Sequence, residues 1–446
     1  MKTIVNRQII NQVIECSGLH TVGRATIREM VGIINAIELK TDVSFIRMEM
    51  GEPGLVPPKI GIQAEKAALK KEIVSQYPMI EGIASLKHEM SRFVKLFLDV
   101  TVAPKGCIPT NGNIQGGFAS LFVACRRGEK NTTLFLDPGY PLYKQQLYVM
   151  GLPYKQFDVT NFRHEKLEEK LNAVCSSGQI GTIVYANPNN PAWICFTDRE
   201  LEIIAQTANK YNIIIIEDLA CIGMDFGKDI STPGQAPFQA SVAKYTDNYI
   251  LLFSASNMFS YAGQRIGCMV ISDILYAGKF PGLTRFFPSD ELGHAVVYGA
   301  MYALSAGVSH SAQHGFSAML KAVNDGTLDF IRDLKTYENR SRKMKQIFLD
   351  NGFDLVYEHD ADKPAMDGYY FCFSYPGFSG VELVEELLYY GISAISLFIT
   401  GSERLEGVRA CVSKVDTQKM KILESRLAKF NKHHSGNLAD RTYKKY

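Results

Sequence analysis

The chain has 446 residues, 46% of them hydrophobic and 21% charged, with 48 Lys+Arg against 46 Asp+Glu. That length buries a core that needs no disulfide or metal staple and predicts roughly two to three domains. The near-balanced charge excludes the strongly basic face of a nucleic-acid binder. Nine cysteines, scattered without a C-x-x-C pair, predict a reducing compartment rather than a disulfide framework or zinc ribbon. The opening segment MKTIVNRQIINQVIECSG lacks the continuous apolar stretch of a signal peptide. No segment is apolar for long enough to span a bilayer, so a cytoplasmic protein without membrane partners is expected.

From about Lys105 to Ile271, short β-branched runs alternate with amphipathic stretches of helical length, which reads as α/β. The clearest strands are 133–136, 182–185, 213–216 and 250–253. Their continuous apolarity suits a mainly parallel sheet covered on both faces. Residues 201–208 have the spacing of a crossover helix, with Thr197 and Glu200 placed for a capping box at its start. Residues 328–349 form a charged amphipathic helix expected to link two domains, with Ile331, Leu334, Met344, Ile347 and Phe348 as its buried positions. A strand at 368–373, a helix at 381–390 and a strand at 408–412 predict a smaller α+β unit. The expected division is an N-terminal arm with part of the small domain over 1–55, a large domain over 56–310, a small domain over 311–432 and a polar, frayed tail over 433–446.

Polar clusters follow each predicted strand: DPGYPLY after the first, NPNNP after the second, EDLAC after the third and SASNMFSYAGQR after the fourth. Parallel α/β sheets bind ligands at the carboxyl ends of their strands, so four such loops at one edge predict a single pocket.

These segments, together with PTNGNIQGG and in this order and spacing, resemble class I/II aminotransferases of the pyridoxal-phosphate fold-type I superfamily, over about Gly51 to Val412. The resemblance implies a large domain with a mostly parallel seven-stranded sheet sandwiched by helices, a smaller α+β domain, and a homodimer with shared active sites. It also implies pyridoxal 5'-phosphate as cofactor and an amino acid or 2-oxo acid as substrate. By that resemblance Gly112, Asn113 and Ile114, opening a helix over 115–126, form the phosphate cup, a role for which backbone N–H groups and the helix dipole are suited. Ser254, Ser256 and Arg265 supply the remaining phosphate contacts. Asp218 faces the pyridine nitrogen, where a carboxylate keeps the ring an electron sink. Asn190 donates to the ring oxygen and Tyr140 stacks on the ring. Arg409 takes the substrate α-carboxylate with its forked cation, Gly51 belongs to the substrate-side loop, and Tyr77 reaches a neighbouring subunit's phosphate.

The resemblance breaks at three places. Where the family has the Schiff-base lysine, this chain has Asn257. A carboxamide nitrogen is neither nucleophile nor base near neutral pH, and losing general acid–base help typically costs about 10² to 10⁴ in rate. Transamination is therefore expected to be impaired and the cofactor to be held non-covalently. Cys221 stands where the family usually has a tyrosine on the ring oxygen, and Ala192-Trp193 replaces the common Thr-Gly. Three explanations stay open: an engineered Lys-to-Asn change, which leaves Cys221 unexplained; a natural, catalytically silent binder or sensor of the cofactor or its amino acid adduct, which explains both; or a substitute lysine such as Lys228 or Lys244, neither of which ends a strand. His310 and His314 lack the intervening Glu of a zinc protease, and neither a nucleotide phosphate loop nor a Gly-x-Ser-x-Gly elbow is present.

Overall fold

The structure, a computed structural model, describes residues 3–435; residues 436–446 of the expected tail lie outside the described residues. The chain divides into a larger unit, Leu55–Asn189 with Cys195–Leu334, and a smaller one made of the described parts of Met1–Gly54, Asn190–Ile194 and Lys335–Tyr446. Residues 311–334, expected with the small domain, fall in the larger unit.

Seven strands form the larger unit's sheet: β1 (Cys107–Thr110), β2 (Thr132–Asp137), β3 (Tyr154–Asp158), β4 (Ile180–Ala186), β5 (Ile214–Asp218), β6 (Tyr249–Ser254) and β7 (Gly267–Ile271). Their order is β1-β7-β6-β5-β4-β2-β3, and β7 alone runs against its neighbours. The expected mostly parallel sheet is therefore present. Its central strands are mostly apolar because helices cover both faces: Ile214, Ile215 and Ile216 are all buried. The helices that bear on the site are α1 (Gly112–Ala124), α2 (Leu142–Val149), α3 (Asp198–Tyr211) and α4 (His310–Asn324).

Helix α3 begins as its sequence dictates. Thr197 Oγ1 accepts from the Glu200 amide at 3.2 Å, and Glu200 Oε2 accepts from the Thr197 amide at 2.9 Å, the reciprocal capping box. Glu200 also accepts from Arg163 Nε at 2.7 Å and the His164 amide at 3.0 Å. Burial raises its pKa, but the ion pair and these donors prevail and hold it at about 2. Helix α4 buries Ala312, Phe316, Met319 and Leu320 and packs on the helices Lys59–Leu69 and Ala84–Leu98. That apolar face is what places it in the larger unit.

Helix α5 (Phe330–Asp350) runs across the division at 334/335. It buries Ile331, Leu334, Met344 and Phe348 as expected, together with Tyr337, whereas Ile347 is only half-buried. The smaller unit carries an antiparallel sheet of β8 (Asp354–Val356), β9 (Tyr370–Ser374), β10 (Ile395–Ser396) and β11 (Val408–Cys411), ordered β10-β11-β9-β8. Helices α6 (Gly380–Leu388) and α7 (Thr417–His434) complete it. Its core is aromatic, with Phe348 and Phe373 rings 4.3 Å apart and Phe353, Phe371 and Phe430 around them. Among the described residues, no helix is long and apolar enough to cross a membrane.

Candidate active site

Strands β2, β4, β5 and β6 are parallel neighbours, so Asp137, Ala186, Asp218 and Ser254 end at one edge of the sheet. Helix α1 starts at that edge too, directly after β1 and Asn111.

Asp218 lies at the end of β5 and is 6% exposed. Its Oδ1 accepts from Asn113 Nδ2 at 2.7 Å and from the Ala220 amide at 2.9 Å; its Oδ2 accepts from Tyr143 OH at 2.6 Å. Burial raises the carboxyl pKa against the lowering effect of these three donors. No described cation pairs with it, so this buried acid has neutral donors only. Tyr143, on α2, was not among the expected site residues. Its signal was present in DPGYPLY, where it falls three residues after Tyr140, and the two rings meet edge to face at 6.0 Å.

The start of α1 has the opposite imbalance. No side chain caps it, so the positive end of a thirteen-residue helix opens at the edge with uncompensated amides. Asn113 turns its side chain to Asp218 and the Leu252 carbonyl, leaving its backbone N–H in that first turn. Ile114 is 40% exposed. Gly112 sits at φ +69°, which favours glycine, and a Cβ there would stand 2.8 Å from Arg265 Nη2, so the guanidinium tip lies against the first turn of α1. Arg265 donates to the Ala262 carbonyl at 3.0 Å and forms no described ion pair. Ser254 is buried and caps the short helix Ala255–Met258 by accepting from the Ser256 amide at 3.2 Å. A cation and a helix N-terminus thus converge without an anion, the arrangement that a phosphate satisfies.

Asn257 and Cys221 are in contact. Asn257 Nδ2 donates to Cys221 Sγ at 3.8 Å. Cys221 is buried and forms no disulfide. Of the substitute lysines, Lys244 lies over the Phe238 ring at 4.9 Å and Lys228 lies in the turn closed by its amide on the Asp225 carbonyl.

Asn190, Gly51 and Arg409 belong to the smaller unit. Arg409, on β11, is 1% exposed. It donates Nη2 to the Glu49 carbonyl at 2.6 Å and Nη1 to Asn190 Oδ1 at 3.2 Å, and its Cζ lies 4.4 Å over the Tyr370 ring. The Glu49 carboxylate is engaged elsewhere, by Arg47 Nε at 2.9 Å and Ser393 Oγ at 2.5 Å. Arg409 therefore has no described carboxylate partner, and its buried Nε has no hydrogen bond. A buried guanidinium left this way calls for an anion. Gly51 backs onto Tyr370, whose hydroxyl would lie 1.8 Å from a Cβ at that position. Tyr77, in the larger unit, is 96% exposed, with Val74 and Met79 also exposed beside it in sequence.

Comparisons with known proteins give the family and the fold. The family model "Aminotransferase class I and II" matches residues 44–427. A probable aspartate aminotransferase of Methanocaldococcus jannaschii is 24% identical over 347 residues, covering 77% of this chain and 82% of that protein. Substrate-bound BacF from Bacillus subtilis superposes with a TM-score of 0.73 at 20% identity, over 91% of this chain and 95% of that one. A mutant aspartate aminotransferase from Thermus thermophilus superposes with a TM-score of 0.72 at 16% identity, over 91% and 96%.

Proposed function

The chain belongs to the class I and II aminotransferase family, and from that premise we propose that it binds pyridoxal 5'-phosphate non-covalently, together with an amino acid or 2-oxo acid, and transaminates poorly because Asn257 occupies the lysine position. The observation that carries the proposal is Asp218: a buried carboxylate, raised by burial and lacking a described cation, at the sheet edge where α1 and Arg265 lack an anion. A molecule with a protonated ring nitrogen at one end and a phosphate at the other matches both.

Bound pyridoxal phosphate supplies an electron sink for the charge developed when a bond to an amino acid's Cα breaks. Asp218 would hold the proton on the ring nitrogen, with Asn113 and Tyr143 fixing its carboxylate. The amides of Gly112, Asn113 and Ile114, the hydroxyls of Ser254 and Ser256, and Arg265 would hold the phosphate. Tyr140 would cover the ring and Asn190 would donate to the ring oxygen. Arg409 would grip the α-carboxylate. Asn257 can neither accept a proton from Cα nor attach the cofactor, since its amide lone pair is delocalised.

A second reading, a catalytically silent binder or sensor, is favoured by the Asn257–Cys221 contact: the two substituted side chains satisfy each other where the family's lysine and tyrosine would serve the cofactor. The exposure of Tyr77, Val74 and Met79 supports a homodimer in which Tyr77 reaches the partner's phosphate. Nine free cysteines, most of them buried, support a cytoplasmic location.

Equilibrium dialysis tests the proposal. Pyridoxal phosphate should bind saturably, Asp218→Asn should weaken it, and borohydride followed by intact-mass measurement should leave the native chain unlabelled. A borohydride-fixed adduct would overturn non-covalent binding. No binding, or binding indifferent to Asp218→Asn, would overturn the whole reading.

A further inference from the structure

Trp193 is the chain's only tryptophan, and its backbone lies at φ +56°, a left-handed conformation that bulky residues rarely adopt. Such a conformation persists only where the surroundings over-determine it. The indole is 2% exposed and meets the Tyr370 ring edge to face, with centroids 5.9 Å apart and planes at 62°. Gly368 makes the space for it: a Cβ there would stand 1.7 Å from the indole Nε1. Tyr370 is the same ring that lies 4.4 Å under the Arg409 guanidinium. The Tyr370 hydroxyl fills the space beside Gly51, so the ring is backed on that side too. Neighbouring backbone is tied as well, since Cys372, which pairs with Arg409 across the sheet, donates its thiol to the Pro191 carbonyl at 3.4 Å.

Arg409 has two hydrogen-bonded tips, on Asn190 and Glu49, and one face on an aromatic ring. The two bonds anchor the fork, and the ring sets its tilt. Bidentate recognition of a carboxylate depends on that tilt. We propose that Trp193 is a positioning residue for substrate recognition: by bracing Tyr370 it fixes the Arg409 guanidinium for the α-carboxylate of an amino acid or 2-oxo acid. The inference rests on the reading of Arg409 given above. A glycine at 193 would fit the backbone without strain but would leave Tyr370 unbraced.

The sole tryptophan makes the test direct. The full-length protein is titrated with pyruvate, 2-oxoglutarate and maleate, by calorimetry and by tryptophan fluorescence in parallel. At least one carboxylate should bind, and the fluorescence should change along the same saturation curve, because a negative charge bound at Arg409 alters the electrostatic field at the Tyr370 ring and at the indole packed against it. Arg409→Leu should abolish both signals. By calorimetry, Trp193→Gly should weaken binding about tenfold, and Trp193→Phe should stay within about twofold of the native chain. Carboxylate binding that depends on Arg409 but leaves the fluorescence unmoved, or is unchanged in Trp193→Gly, overturns the role of Trp193 and leaves the Arg409 reading standing. If no carboxylate binds the native chain, or Arg409→Leu binds equally, the Arg409 reading falls and this inference with it. The native titration needs no variant, so a misfolded Trp193→Gly does not remove the test.

Discussion

Asn257 and Cys221 are separated by 36 positions, yet the carboxamide donates to the thiol. Under the proposed reading, a lysine placed at 257 alone would meet a thiol rather than a phenol. We therefore expect Asn257→Lys with Cys221→Tyr to gain a borohydride-fixed attachment to pyridoxal phosphate and a transamination half-reaction at least about 10² faster than the native chain. Single-turnover spectra with a panel of amino acids read this, and a double variant as slow as the native chain would remove the family's chemistry from the pocket. Next to Asp218 on β5 lies Glu217, on the strand's other face. It is fully buried and accepts from Ser241 Oγ at 2.5 Å and the Val242 amide at 3.2 Å. Burial, outweighing these donors, pushes its pKa up from 4.5 to about 7. The folded state then keeps a proton that the unfolded chain releases, so this group's contribution is full below pH 4.5 and is lost as pH rises through 7. The gap is worth on the order of 3 kcal/mol. Glu217→Gln should flatten the pH dependence of urea stability across that window; an unchanged slope would show that Glu217 does not titrate there.

At the scale of elements, the site depends on where helices begin. Helix α1 starts uncapped and so presents free amides, whereas α3 starts with a full capping box and presents none. Under the proposed reading the contrast is one of function, since a cap at α1 would fill the place a phosphate needs. Thr197→Ala removes the α3 cap and should cost about 1 kcal/mol in urea unfolding without altering pyridoxal phosphate affinity. A loss of cofactor binding in that variant would mean that α3 supports the site more directly than its contacts indicate. Strand β9 shows the limit of periodicity. Its run was expected from Gly368, but pairing begins at Tyr370, because Gly368 is packed against the Trp193 indole.

For the whole molecule, the prediction concerns assembly. Tyr77 is 96% exposed, so its own chain gives it no structural role. Tyr77→Phe should leave the stability of the cofactor-free protein unchanged while weakening pyridoxal phosphate about tenfold, the worth of one hydrogen bond to a charged oxygen. Light scattering should report a dimer for both. A monomeric native chain, or an affinity untouched by the substitution, would remove the shared-site proposal.

What could be read from the chain was local. The β-branched runs fixed the central strands, Thr197 and Glu200 fixed the start of α3, and the polar segments after each strand marked the edge where those strands end, because alternation of apolar and polar residues is set by a strand's or helix's own geometry. The family motifs singled out Asp218, Arg265 and Arg409 as candidates. Only tertiary structure decided what those residues touch: that Tyr143 and Asn113 secure Asp218, that Asn257 meets Cys221, that Arg409 lies on Tyr370 braced by Trp193, and that residues 311–334 join the larger unit. Those contacts join positions far apart in sequence, and no periodicity carries them, since they arise from close packing of side chains brought together only when the core forms.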